Sequence, residues 1–283
     1  MKIAEIIEKN VDIPAVPMVA VKIRKLVDDP NADVNAVQEA IMADQALAAR
    51  VLGIANSVYY GTGRRVDTIS AAIMITGFGA IKNLALAVST RSVYKKFGLL
   101  EQKLWEHSIG ASIAAGIIAR QVRFSDPEEA TIAGLLHDIG KVVMNNSYPE
   151  RFLMLTETVY NDRVPFEQRE QEVFGYGHAA VGGVFAGKWR FSEALCSAIS
   201  LHHSHDGQGR FPGDDYHSAL CAITALSDAL CIRLGVGYRG PMKDLPLMDG
   251  SWKKILGISD EQYDEIVETF KGAYIREKMA YQE

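Results

Sequence analysis

The stretch Leu135-Leu136-His137-Asp138-Ile139-Gly140-Lys141 sets an imidazole beside a carboxylate in an apolar run. An ionised Asp is rarely buried without a partner, because removing a lone carboxylate from water is costly. Ala133, Leu135, Leu136, Ile139 and Val142 mark the surroundings as a helix interior. A neutral imidazole and a carboxylate are both good ligands for borderline divalent cations, so a metal ion is the expected partner. The plainer alternative is a hydrogen-bonded His-Asp pair capping a core helix.

The other imidazoles favour the metal. The chain has seven His, none of them in the first 106 residues. His107, His137, His178, His202 and His203 sit at helix-compatible sites rich in small or apolar residues, whereas His205 and His217 fall in a Gly/Asp-rich loop. Asp228 repeats the acidic-in-apolar pattern within Ala222 to Leu230. The candidate ligands are therefore His107, His137, Asp138, His178, His202, His203 and Asp228. Two ions about 3.5–4 Å apart could share Asp138 as a bridge. One would take His107, His137 and Asp228, and the other His178, His202 and His203. Ligation by His and Asp permits Fe, Mn, Zn or Ni. Two divalent ions and Lys141 over-neutralise two carboxylates, and that surplus of positive charge suits phosphoester cleavage. Asp138 and Lys141 are the candidate catalytic residues, Lys141 as a phosphate anchor. A metal that only staples helices is the alternative without turnover. Structural zinc more often takes four closed ligands that include Cys.

The elements that carry these residues read as helices throughout; alternating strand-like runs are nearly absent. The expected fold class is all-α. Helices are predicted over 1–9, 20–27, 34–42, 45–56, 68–77 and 81–88, with a Pro-containing linker at 11–18. A break near Gly98 precedes a long helix over about 101–121 that bears His107. Asp126 with Pro127 signals the start of the helix bearing His137 and Asp138. Residues 149–160 form another helix. Gly175-Tyr176-Gly177 releases the chain into a helix from His178 to about Trp189. Ser192 caps the helix that ends at His202-His203, a loop spans 204–213, and the next helix bears Asp228. A Gly/Pro-rich crossing over 235–250 leads to a terminal helix near 260–278. The expected division is an N-terminal helical subdomain (1–100), a metal-binding helical core (101–240) and a C-terminal helical extension (241–283).

At 283 residues the chain can bury a substantial core, and 48% apolar with 23% charged residues is ordinary for a globular protein. A net charge of −5 argues against a broad phosphate-backbone interface, so no nucleic-acid partner is expected. No run of about 18 apolar residues appears, so no membrane span is expected. The first nine residues lack the apolar core of a signal peptide. Cys196, Cys221 and Cys231 read as small buried residues in a reducing cytoplasm.

Two further segments carry a family likeness. Ile13-Pro14-Ala15-Val16-Pro17 and Asp44 to Ser57 form one, and Ile69 to Leu84, with Gly77-Phe78-Gly79, forms the other. Together with Trp105 to Ser108, Ala133 to Lys141 and His178 to Trp189, they resemble the HDOD (HD-related output) branch of the HD superfamily of metal-dependent phosphohydrolases. The resemblance covers about residues 13–230. It implies an HD-type helical bundle with an N-terminal HDOD subdomain and a bacterial cytoplasmic signalling role. Many HDOD domains have lost metal ligands and act as regulatory modules; here the His-Asp pair and outer His residues are intact. The chain also resembles the HD-GYP branch, which cleaves cyclic di-GMP. There a His-His pair is followed by Glu and then Asp-Gly-x-Gly-Tyr-Pro. Here Ser204 replaces the Glu and Gly209-Arg210-Phe211-Pro212 replaces the Gly-Tyr-Pro. Lys103 stands where some relatives hold a third metal through Glu. These departures speak against a third metal and against cyclic di-GMP cleavage. The expected function is a signal-transduction module with a retained His/Asp metal site, partnered by signalling proteins or a phosphate-containing small molecule. The alternative is an active phosphohydrolase on a nucleotide or cyclic dinucleotide. In the N-terminal half, Asn56, Ser57, Tyr59 and Tyr60 could form a ligand surface, although helix termination is the simpler role.

Overall fold

Side-chain caps start several of the helices that carry the site. Asp126 accepts hydrogen bonds from the backbone N–H groups of Glu128 and Glu129, with Pro127 at the first helical position. Ser192 accepts from Leu195 N–H, and Asp214 from His217 N–H. Each cap meets an N–H that the helix itself leaves without a partner. The helices end as sharply: Gly175 and Gly235 take left-handed conformations at φ 81° and 76°.

The computed structural model describes residues 34–42, 45–56, 66–77, 98–204, 214–237 and 251–282, and the single positions Ile3, Ile6, Ile81, Tyr94, Phe211, Gly240 and Pro241. Among them the helices are α1 (Val34–Met42), α2 (Gln45–Ala55), α3 (Ile69–Thr76), α4 (Leu99–Gln121), α5 (Pro127–Leu136), α6 (Ile139–Ser147), α7 (Pro149–Asp162), α8 (Phe166–Phe174), α9 (His178–Lys188), α10 (Glu193–Leu201), α11 (Asp215–Leu234), α12 (Ser251–Leu256) and α13 (Asp260–Gln282). No strand occurs among the described residues. The fold is all-α, as the periodicity predicts. The helices predicted over 1–9, 20–27 and 81–88, with Ser57, Tyr59 and Tyr60, lie outside the described residues, apart from Ile3, Ile6 and Ile81.

The chain divides into two compact units. One comprises Met1–Ile13 and Tyr94–Phe270, the other Pro14–Val93 and Lys271–Glu283. The second has its own apolar core: Val37, Ile41, Leu47, Val51, Val66, Ile69 and Ile73 are buried together. In it Asn56 has the helix-terminating role. Its side-chain amide donates to Leu52 O at 2.8 Å and Val66 O at 2.7 Å, and its Oδ1 accepts from Val66 N–H at 2.7 Å. One side chain thus ends α2 and ties it to the chain ten residues on.

The first unit holds every candidate metal ligand. Its core is built on α4, α5 and α11, with Ala111, Ala114, Ala115, Ala133, Ala222 and Leu226 buried along their shared faces. Small residues let the helix axes approach closely. Helix α11 is long and apolar enough to cross a membrane by length and composition, although Thr224, Ser227 and Asp228 interrupt its apolar run. Its side chains from Leu220 to Ile232 are buried within the unit, which accounts for the composition.

Two sequence expectations are corrected. The helix predicted through His137 and Asp138 breaks at that pair: α5 ends at Leu136, α6 begins at Ile139, and the two candidate ligands form the turn between. The segment between α7 and Gly175 is also helical, as α8.

Candidate metal centre

Four imidazoles are held by the same device. A ring whose Nδ1–H donates to an oxygen keeps its Nε2 lone pair free to bind a metal. His137 and His202 are the C-cap residues of α5 and α10. Their Nδ1 atoms lie 2.7 Å from Gly134 O and 2.8 Å from Ile199 O, carbonyls the helix ends leave free. His107, midway along α4, has Nδ1 3.1 Å from Val236 O. Gly237, at φ 72°, makes that approach possible, since a Cβ there would lie 2.5 Å from the His107 Cβ. His178, the first residue of α9, has Nδ1 2.6 Å from Glu170 Oε2.

The inward-facing atoms converge. His107 Nε2 lies 2.9 Å from Asp228 Oδ1 and 3.5 Å from Asp138 Oδ2. His137 Nε2 lies 3.5 Å from Asp138 Oδ2 and 3.6 Å from Asp228 Oδ1. His178 Nε2 lies 3.3 Å from His202 Nε2 and 3.1 Å from His203 Nε2. It also stands 3.0 Å from Asp138 Oδ1, although the angle there does not make a hydrogen bond. His203 Nδ1 is 4.0 Å from Asp228 Oδ2. Three groups of donor atoms lie within 4.8 Å of one another: His178, His202 and His203; His107, His137 and Asp138; and His137, His202 and Asp228. All seven sequence-nominated ligands thus meet in one cluster. His203 is 23% exposed, whereas the other six are buried.

These atoms fit a divalent cation. His137 Nε2 and Asp138 Oδ1 are buried without a hydrogen-bond partner. Buried polar atoms are ordinarily satisfied, so two orphans on adjacent residues point to a further ligand. Nitrogen lone pairs 3.1–3.3 Å apart repel unless a proton or cation lies among them. The set is hard-to-borderline, all imidazole and carboxylate, with no thiolate.

The charges agree. Burial alone would raise the Asp138 carboxyl, but His137, Lys141 and His178 outweigh it and hold it well below the usual range. Asp228 is likewise held down against its burial by His107 and His137. Burial, with the neighbouring rings His203, His137 and His178, keeps His202 well below its ordinary value. Both carboxylates are therefore ionised and His202 neutral at pH 7, which is the ligand form.

Lys141 is buried, and Nζ donates to Asp138 Oδ2 at 2.7 Å while lying 4.5 Å from the centre of the Phe166 ring. Its ammonium is thus on Asp138. Asp138 pulls the Lys141 pKa upward despite burial, so it stays charged. His205 lies outside the described residues, and His217 pairs with Asp214 at 2.6 Å at the start of α11.

Sequence reasoning missed Glu170. It lies on α8, fully buried, between Phe166 and Phe174 on one stripe. Pro165 before Phe166 and Gly175 after Phe174 are the start and stop signals that frame it. A Glu centred on an i, i+4, i+8 apolar stripe is the sign that could have singled it out.

With this geometry in hand, the likeness to known proteins is specific. The chain is 27% identical to an HDOD domain protein of unknown function from Geobacter sulfurreducens, whose crystal structure superposes with a TM-score of 0.74 over 93% of this chain and 90% of that one. A protein from Shewanella amazonensis SB2B, provisionally named a phosphohydrolase, shares the fold at 22% identity and a TM-score of 0.62, over 94% of this chain and 98% of its own. An uncharacterised protein of Treponema pallidum (strain Nichols) is 27% identical over 206 residues, 71% of this chain and 39% of that protein. Ribonuclease Y of Clostridium kluyveri is 32% identical over 102 residues, 36% of this chain and 14% of that enzyme. The chain thus spans well under half the length of these two relatives. A model of the HDOD domain matches residues 13–205, which include six of the seven nominated ligands; Asp228 lies beyond it. The chain belongs to the HDOD domain family.

Proposed function

We propose that this chain is a cytoplasmic signal-transduction HDOD module that retains a binuclear divalent metal centre. The observation that supports it is the meeting of seven buried or half-buried ligand residues with two orphaned donor atoms among them. His107, His137 and Asp228 would hold one ion, and His178, His202 and His203 the other, with Asp138 shared. Lys141 offsets the Asp138 charge. Cys196, Cys221 and Cys231 are all free thiols, which accords with a reducing compartment.

A second reading is a metal-dependent phosphohydrolase. Partial exposure of His203 favours it, since that ring forms a wet edge through which a small phosphate-containing ligand could reach the cluster. When bound, divalent ions supply Lewis-acid polarisation of a phosphoryl oxygen. Ribonuclease Y, by its name, acts on the same class of bond. The net charge of −5 favours a small nucleotide over a long nucleic-acid backbone.

Elemental analysis of protein purified without chelator tests the first reading. About two divalent ions per chain are expected. Metal content well under one per chain, not restored by Mn or Fe reconstitution, overturns it. Hydrolysis of a generic phosphodiester or of nucleotides by the loaded protein, abolished in Asp138→Ala, would favour the second reading.

A further inference from the structure

Three of the four inward-facing imidazoles lean on neutral acceptors. His107, His137 and His202 use the backbone carbonyls of Val236, Gly134 and Ile199. Among the described residues, His178 is the one of the four whose Nδ1 meets a carboxylate. Glu170 Oε2 accepts from the His178 backbone N–H at 2.8 Å and from its Nδ1–H at 2.6 Å. Two bonds to one oxygen fix both the entry of α9 and the orientation of the ring.

Capping does not require such a residue. Elsewhere this chain caps helices with Ser192, Asp126 and Asp214, none of them fully buried. Glu170 is completely buried, and its Oε1 has no hydrogen-bond partner. An ionised group kept in that setting carries a desolvation cost that a neutral cap would avoid. A carboxylate on the far nitrogen of an imidazole makes the near nitrogen a stronger ligand and fixes its tautomer.

We propose that Glu170 is a positioning residue of the metal centre, setting His178 Nε2 toward His202 and His203 and so governing occupancy of the three-His half. The half built on His107, His137 and Asp228 gets no support from α8 in this scheme and stays unaffected. The inference rests on the metal reading above, and it adds an asymmetry between the two halves.

The test compares wild type with Glu170→Gln and Glu170→Ala by calorimetric titration with Mn and with Zn. Gln keeps the shape and an acceptor but lacks the charge; Ala lacks both. One of two metal equivalents should weaken by roughly 10–100-fold in Glu170→Ala, less in Glu170→Gln, while the other equivalent is unchanged. Wild-type affinity in both variants overturns the proposal, as does equal weakening of both equivalents. If Ala fails to fold, the Gln titration decides alone by the same criterion. A second readout needs no metal: nitrogen NMR of histidine-labelled apoprotein, above the His178 pKa of about 9. Wild type should show His178 protonated on Nδ1 with Nε2 bare, and Glu170→Ala, which has no acceptor, should lose that preference. A wild type that binds neither metal defeats the metal reading, yet the tautomer still decides on Glu170. A His178 tautomer unchanged by Glu170→Ala overturns the positioning role.

Discussion

Asp138 faces different neighbours with its two oxygens. Oδ2 takes the Lys141 ammonium, and Oδ1 faces the His178 ring. In the proposed arrangement Asp138 is shared, which would make it the most sensitive residue of the centre. Asp138→Asn keeps the shape and removes the charge, so metal content should fall well below wild type for both ions, as read by elemental analysis. Loss of only one equivalent would mean that Asp138 is not shared. Lys141 gives a contrasting prediction. Removing one partner of a buried pair costs up to about 3–5 kcal/mol, and here His137 and His178 still offset part of the Asp138 charge. Lys141→Met should therefore lower the urea-unfolding free energy of the metal-free protein by up to that amount. Metal content should survive, because an ammonium is not a ligand and its loss leaves the site more negative. If Lys141→Met lost its metal, the residue would be holding the carboxylate in place. The ligand types were legible because His and Asp are conspicuous inside apolar runs. The partners of Nδ1 were not, because three of them are backbone carbonyls and carry no sequence signal.

At the scale of elements, helix starts were more legible than helix breaks. Asp126-Pro127 and Ser192 announce α5 and α10 by side-chain chemistry that acts locally. The break at His137-Asp138 has no Gly or Pro within it, and its neighbours are apolar helix formers. There His137 gives its own Nδ1–H to Gly134 O, a contact that no pattern of hydropathy reveals. Helix α8 was missed because its polar residues, Glu167, Gln168, Arg169 and Glu172, dilute a short apolar stripe. The close approach of α6 to α9 gives a sharp test. A Cβ on Gly140 would lie 1.9 Å from His178 O and 2.8 Å from Gly182 N. Backbone cannot yield as a side chain does, so Gly140→Ala must part the helices. We expect a loss of about 1–3 kcal/mol or more, together with weakened metal retention as His178 shifts. Gly187, also on α9, has nothing within 4 Å of its Cβ position. Gly187→Ala should gain up to about 1 kcal/mol from helix propensity and leave metal content intact. Similar melting curves for the two variants would show that the α6–α9 contact is not tight in solution.

At the scale of the whole molecule, metal, protons and stability are linked through the buried rings: His137 is raised against its burial by Asp138 and Asp228, and His178 is raised as well. Burial alone pulls the His178 pKa down, but Glu170 and Asp138 outweigh both burial and Lys141, raising it to about 9. Burial and the charge of His178 hold His203 down at about 4. In the metal-free fold at pH 7 the proton therefore sits on His178, while His203 is bare. A folded pKa above the unfolded value of 6.5 means that this proton stabilises the metal-free fold fully below pH 6.5, and the contribution fades as pH rises through 9. A divalent ion must displace the same proton before Nε2 can bind. Both effects act in one direction. From pH 6.5 to about 9 the apoprotein loses stability and the loaded protein holds its ion more tightly. One displaced proton corresponds to at most about tenfold in affinity, or about 1.4 kcal/mol, per pH unit. The gap in Tm between Mn-loaded and chelated protein should thus widen across that window and level off above it. The same proton should appear in calorimetric titrations as a heat that depends on the ionisation enthalpy of the buffer. A gap that stays constant, with no buffer dependence, would place the displaced proton elsewhere than on His178 and would break the link between α8, α9 and the metal.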